Sequence, residues 1–252
     1  HDVFIHQVEV KKGIAPAVGA EAKMKIDADR RKDIQRNHTA THILHKVLRE
    51  NLGTHVEQSG SLVDDEKLRF DFSHYEAIEP EMIEKIEKSV NDIILSNLKV
   101  KIDFENIEDA KKRGAMALFS DKYGDVVRVV DVPGFSTELC GGTHVKNVSE
   151  IQMFKIISES SVAAGVRRIE AITGRKVYDY LKKTENQIEE VSNVLKCKKA
   201  EMVSKAVSMV DEIKSLEKEL KEIKLEITLS SLDSFIAEKK EINGISFIAK
   251  KV

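Results

Sequence analysis

The chain has 252 residues, room for one large domain or two smaller ones, with 41% hydrophobic and 33% charged residues. The net charge of −2 excludes overall charge as a source of nucleic-acid affinity, so any such binding must rest on a local basic patch. Aromatics make up 5% and Trp is absent, which argues against a mainly aromatic base-stacking surface.

The two cysteines, Cys140 and Cys197, stand far apart in unlike contexts. A disulfide framework is not expected, and a reducing cytoplasm is the default setting. No apolar run reaches membrane-span length, and the N-terminus has no signal-peptide pattern.

In chain order, residues 1–26 alternate like strand: Val3-Phe4-Ile5, Val8-Glu9-Val10, a turn from Gly13 to Gly19, then Ala22 to Ile26. They read as the tail of a small β-barrel, and the chain as a piece of a longer protein. Asp29 to Leu52 is helical, with Gly53 a good residue to follow a helix and Asn37 a candidate cap for a second helix inside it.

Strands are expected at Gln58 to Val63 and Leu68 to Phe72, where Leu68, Phe70 and Phe72 form one apolar face. Pro80 suits the first turn of a helix to about Asn97, striped by Ile83, Ile86, Val90 and Ile93. Further strands are expected at Leu98 to Phe104, Val126 to Val132, Gln152 to Glu159 and Arg167 to Ile172.

From Val177 to Glu241 there is no Pro or Gly. Met202, Ala206, Met209, Ile213, Leu216, Leu220, Ile223 and Ile227 recur at spacings of four and three. That is a heptad seam, expected in a coiled-coil arm with a break near Lys196 to Lys199. The fold class is α+β. A mixed domain with a mainly antiparallel sheet spans residues 29–180, after a barrel tail at 1–28. A helical arm follows at 181–238, and the start of a further globular domain at 239–252.

The chemistry concentrates in two motifs. His38 and His42 stand four apart on the first helix, so both rings leave one face. No Glu follows His38, so this is not the zincin pattern. Cys140-Gly141-Gly142-Thr143-His144 places a thiol and an imidazole across two glycines, which suits a tight metal-binding loop. Either motif alone is weak. Together they make a set suited to one Zn2+ per chain. Four ligands suggest a closed structural site, whereas catalysis needs an open position, and spacing does not decide between them. His45 lies near the same stripe and is read as packing or as support for the ligands.

Six segments appear in order. They are Arg36-Asn37-His38-Thr39-Ala40-Thr41-His42, Gln58-Ser59-Gly60-Ser61, Arg69-Phe70-Asp71-Phe72-Ser73-His74, Gly114-Ala115-Met116-Ala117-Leu118-Phe119, Cys140-Gly141-Gly142-Thr143-His144 and Gly165-Val166-Arg167-Arg168-Ile169-Glu170. From about Asp29 to Tyr180 the chain resembles the editing domain of alanyl-tRNA synthetases. Threonyl-tRNA synthetase editing domains and free-standing alanyl-tRNA deacylases share the metal pattern, and the arm favours the synthetase. The resemblance implies hydrolysis of the ester joining serine or glycine to alanine tRNA. It also implies a metal set of His38, His42, Cys140 and His144, the acceptor end of tRNA as partner, and no charging activity in this piece.

Four polar residues are candidates for the chemistry. Thr41 and Gln58 carry groups that can bond a serine hydroxyl, and a site demanding that bond rejects alanine by up to about 10⁴-fold. This logic does not cover glycine. Thr41 has a bland alternative, a bond back to its own helix. Asp71, with His74, is a candidate for positioning water. Arg69, Arg167 and Arg168 are expected to hold tRNA phosphates, with Lys46, Arg49 and Lys122 extending the rim. The arm is expected to offer a self-association surface, and no membrane partner is expected.

Overall fold

The computed structural model describes residues 5–116, 124–237 and 239–248, with residues 231–235 by backbone alone. The expectations placed on Val3, Phe4, Ala117, Leu118, Phe119, Lys122 and residues 249–252 lie outside them. The chain separates into two compact units, His1–Tyr178 and Asp179–Val252.

In the first unit, residues 5–27 form no strand. The strands expected at Val8 to Val10 and Ala22 to Ile26 are absent, and these side chains lie exposed. Alternation supplies a strand with a face, but a ladder also needs a neighbouring strand, and none among the described residues pairs with this segment.

Helix α1 (Ala28–Leu52) follows, with the Asp27 carboxylate accepting from the Asp29 and Arg30 amides. It stops at Gly53, which has φ 119°. The second helix expected from Asn37 does not start there. Asn37 is buried mid-helix, donating to Asp64 O (2.8 Å) and accepting from Thr173 Oγ1 (2.7 Å). A side chain engaged by other elements is not free to cap its own backbone.

Strands β1 (Gln58–Val63) and β2 (Leu68–Ser73) form a hairpin, and α2 (Pro80–Leu95) starts on Pro80. Then come β3 (Lys101–Asn106), α3 (Ile107–Lys112), β4 (Val126–Val132) and β5 (Ser136–Leu139). A short 3₁₀ turn at Val148–Ile151 leads into β6 (Phe154–Ala163) and β7 (Val166–Thr173). The long strands pair antiparallel in two sheets, ordered β1-β2-β7-β6 and β3-β4-β5. The expected α+β class with mainly antiparallel sheet holds.

Helices α1 and α2 pack on the four-stranded sheet. Ile43, Leu44, Val47 and Leu48 of α1 join Phe70, Phe72, Ile86, Val90, Phe154 and Ile169 in the main core. Strand β4 serves two cores through its alternation. Val130 and Val132 face the main one, and Val127 and Val129 a smaller one with Ala110 and Leu139. That bridging strand leads into β5, whose end carries the Cys140 loop next to α1.

Helix α4 (Arg175–Leu195) runs from the end of the first unit into the second. In the second unit it ends before Lys196 (φ 50°), and a 3₁₀ turn at Lys199–Glu201 opens α5 (Met202–Ala237). The break falls where the heptad pattern placed it. A small hairpin, β8 (Lys240–Ile242) and β9 (Ile245–Phe247), follows. No helix among the described residues is long and apolar enough to cross a membrane.

Candidate metal centre

An amphipathic helix normally buries apolar residues and exposes polar ones. Helix α1 departs from this, since Asn37, Thr39, Thr41, His42 and His45 are all buried. Polar groups taken from water must find partners, and here Thr39 and His42 meet the loop that follows β5, while the other three are engaged elsewhere.

The four expected ligands come together. One donor atom from each of His38, His42, Cys140 and His144 lies within 4.8 Å of the others. Cys140 Sγ is 3.5 Å from His38 Nε2 and 3.4 Å from His144 Nε2. With Zn–S of about 2.3 Å and Zn–N of about 2.0 Å, a tetrahedron has an S···N edge of about 3.5 Å. The spacing fits a metal ion held by thiolate and imidazole, and the cluster can bind one.

Two of the donors, Cys140 and His144, are also in the charge state that a metal needs. Burial works to raise the Cys140 pKa, but hydrogen bonds from His144, His38 and His42 outweigh it and bring it down to about 3. The Gly142 amide points at the same sulfur from 3.4 Å. Burial holds His144 down to about 4, so its ring is neutral near pH 7. For His42, burial opposes the charged form, while Glu138 and Cys140 favour it and raise the pKa overall.

The loop owes its shape to residues that spacing did not point out. Arg128 on β4 donates to Cys140 O (2.6 Å) and Gly142 O (2.8 Å), pinning both sides of the turn. The lone cation in Val126-Val127-Arg128-Val129-Val130 was the available signal. Thr39 Oγ1 lies 3.2 Å from His144 Nδ1 and accepts from the Val145 amide at 3.2 Å, tying the loop to α1. Gly142 is a glycine for a spatial reason. A Cβ there would lie 2.0 Å from His38 Cε1, whereas one on Gly141 would meet nothing within 4 Å.

Glu138 was also missed. It is 2% exposed, and its Oε2 stands 3.3 Å from His42 Nδ1. The signal was its position two before Cys140, the one acidic residue near the end of the strand that leads into the loop. Its pKa is lowered: burial opposes the charge, but His42 and His45 outweigh burial.

The other candidates are placed less simply. Thr41 is buried and donates to Asn37 O (2.8 Å), the bond back to the helix. Gln58 donates to Ser61 Oγ (3.1 Å) on its own strand and is not brought to the cluster. Asp71 is clasped by Arg168 through two bonds of 2.7 and 2.8 Å, with Arg69 at 3.6 Å. The Arg168 bond holds its pKa below the usual carboxylate value.

Arg167 makes a matching two-bond pair with Glu159 (2.5 and 2.6 Å). Lys46 pairs with Glu50, and Arg49 donates to Val56 O. His74 contacts His55 (2.9 Å) at the surface, and burial followed by His55 lowers its pKa.

Comparison with known proteins gives two findings. Residues 127–170, which include Cys140 and His144, match the family described as threonyl and alanyl tRNA synthetase second additional domain. The chain is 52% identical to an alanine–tRNA ligase of Clostridioides difficile over 233 residues, covering 92% of this chain and 26% of that protein. It is 49% identical to the enzyme of Fusobacterium nucleatum over 247 residues, covering 98% of this chain and 28% of that protein. For Thermoanaerobacter sp. the figures are 47% over 251 residues, with 100% and 28% covered. The chain thus spans about a quarter of the length of the curated relatives it matches.

Proposed function

Since this chain is the counterpart of one stretch of the alanine–tRNA ligases, we propose that residues 29–180 form an editing domain. It hydrolyses the ester of Ser-tRNA(Ala) and Gly-tRNA(Ala) and depends on one zinc held by His38, His42, Cys140 and His144. The observation that carries this reading is the convergence of a low-pKa thiolate and three imidazoles within 4.8 Å of one another, two of the imidazoles at 3.4–3.5 Å from the sulfur. When bound, zinc supplies a Lewis acid that polarises an ester carbonyl and lowers the pKa of water.

The chain's own residues do the rest. Arg128 holds the Cys140 loop, and Thr39 and Glu138 orient two of the rings. Thr41 has given its hydroxyl hydrogen to Asn37 O, so toward a serine substrate it acts as an acceptor of the hydroxyl. Gln58 is assigned a supporting contact on the β1 side of the substrate, and Asp71 the placing of water once Arg168 shifts its bonds.

Arg69, Arg167 and Arg168 face the tRNA. Arg167 and Arg168 each use two N–H groups on a carboxylate, which leaves the remaining donors for phosphates. The partner is the acceptor end of tRNA(Ala), the setting is the cytoplasm, and the heptad seam of α5 is the self-association surface.

A second reading has one observation in its favour, because four protein donors are what a closed structural zinc site has. One experiment separates the two: hydrolysis of Ser-, Gly- and Thr-tRNA with and without a chelator. The deacylase reading expects Ser-tRNA(Ala) hydrolysis that stops on chelation and returns with zinc. Zinc-loaded protein that leaves all three esters intact would overturn it.

A further inference from the structure

Glu138 is a buried carboxylate with no Lys or Arg of the described residues in hydrogen-bond contact. Its neighbours are two imidazoles of one helix and a hydroxyl. Oε2 lies 3.3 Å from His42 Nδ1, Oε1 lies 3.6 Å from His45 Nδ1, and Ser136 Oγ donates to Oε1 from 3.5 Å. His42 and His45 stand three apart on α1, so both rings reach the same carboxylate.

His45 is the odd member. It is 1% exposed, and among the described residues neither ring nitrogen has a direct hydrogen bond. One face lies toward the Phe70 ring, with centroids 5.3 Å apart. A buried imidazole without a bond needs a reason, and the carboxylate oxygen that faces its Nδ1 is Glu138 Oε1.

We propose that Glu138 is a positioning residue that fixes His42 with its proton on Nδ1 and its lone pair on Nε2 toward the metal. His45 is the second buried partner, and it keeps the carboxylate from turning away. The proposal rests on the reading of His42 as a metal ligand.

Two neighbours of the cluster therefore differ in kind. His144 has a neutral hydroxyl, Thr39, beside its Nδ1, whereas His42 has an anion. An anionic partner makes the opposite ring nitrogen a stronger donor and locks the ring plane. His42 is thus the imidazole whose hold on the metal depends most on a residue outside the ligand set.

The test uses the whole chain and needs no tRNA. In ¹⁵N-labelled, zinc-loaded protein, the long-range ¹H–¹⁵N pattern of His42 reports which nitrogen carries the proton. Nδ1–H is expected, and Nε2–H overturns the proposal without any variant having to fold.

Zinc affinity by chelator competition comes second. Glu138→Gln keeps the shape and removes the charge, and it is expected to weaken binding about tenfold or more. His45→Gln, which keeps a donor, is expected to stay within about threefold, and His45→Leu to lose about tenfold. Wild-type affinity in Glu138→Gln overturns the assignment. If affinity and tautomer come out as expected while Ser-tRNA(Ala) stays intact, the deacylase reading fails and this one stands.

Discussion

The two units solve the problem of apolar surface in opposite ways. In His1–Tyr178, α1 lays Ile43, Leu44, Val47 and Leu48 against a sheet and a second helix, and all four are buried. In Asp179–Val252, α5 carries an apolar stripe of similar content, yet Ile213, Leu216, Leu220, Ile223 and Ile227 are exposed. Its ion pair, Lys218–Glu222, is a surface pair of 3.9 Å, worth at most about 1 kcal/mol. The first unit closes its core with its own elements and can hold buried polar groups at fixed distances. The arm has a pattern that asks for a partner, and the described residues of its unit supply none.

The largest contrast concerns the two cysteines. Cys140→Ala is expected to abolish zinc binding and Ser-tRNA(Ala) hydrolysis, because thiolate is the strongest donor of the set. Cys197→Ala is expected to leave both unchanged, since Cys197 follows α4 and bonds Ser192 through its backbone N–H and carbonyl, which Ala keeps. Metal analysis and deacylation on both variants check this, and a Cys140 variant with full activity would remove the metal from the mechanism.

Matched leucines test the packing difference. Leu44 is 0% exposed and Leu216 is 56% exposed. Leu44→Ala is expected to cost about 2–5 kcal/mol in denaturant unfolding. Leu216→Ala should stay within about 0.5 kcal/mol. An arm variant as costly as the core variant would show that a second copy covers the seam in solution, and sedimentation would then find a dimer.

Acidity sharpens the comparison. The folded metal-free protein holds Cys140 down to about 3, so the thiolate is present above that value and is lost only as pH falls through it. An ordinary thiol near pKa 8.5 is over 99.9% protonated at about pH 5. Alkylation of metal-free protein at that pH is therefore expected to label Cys140, and added zinc to protect it. Inert Cys140 under those conditions would mean that the imidazoles do not stabilise its charge.

Neighbouring glycines give a finer contrast within the loop. Gly142→Ala pushes the His38 ring aside and is expected to weaken zinc binding by about tenfold or more, while Gly141→Ala should do little. Equal affinities would mean that the ring moves freely. The smallest effect is expected from ending the chain at Tyr180, since all four donors precede it. Zinc content and turnover at saturating tRNA should persist, with weaker binding of whole tRNA as basic residues are lost. A folded, zinc-loaded fragment without turnover would put the arm into the catalysis.

Much of this was legible in the residue order. Regular elements with strong periodicity, β1, β2, α2 and β4, lie within a few residues of their expected bounds. The break before α5 shows in the residues around Lys196, and the candidate metal donors show in two short spacings. The segment at residues 5–27 did not follow its alternation, because strand formation depends on a neighbour that pattern cannot supply. Asn37 looked like a cap, since its preference for caps is local while its actual partners, Asp64 and Thr173, are distant in sequence.

The sequence by itself pointed to the four residues of the candidate cluster, because His-x3-His on a helix and Cys-x3-His across glycines are local geometry. Only the tertiary structure decided what surrounds it. Arg128, Glu138 and Thr39 act across separations of roughly ten to a hundred residues, or from a strand face whose neighbours are set by packing. Asp71 and Arg168 read as separate site residues, yet strand register places them opposite one another on β2 and β7, where opposite charges close into a pair. Periodicity tells which way a side chain points. What it meets there is fixed by the elements that pack against it.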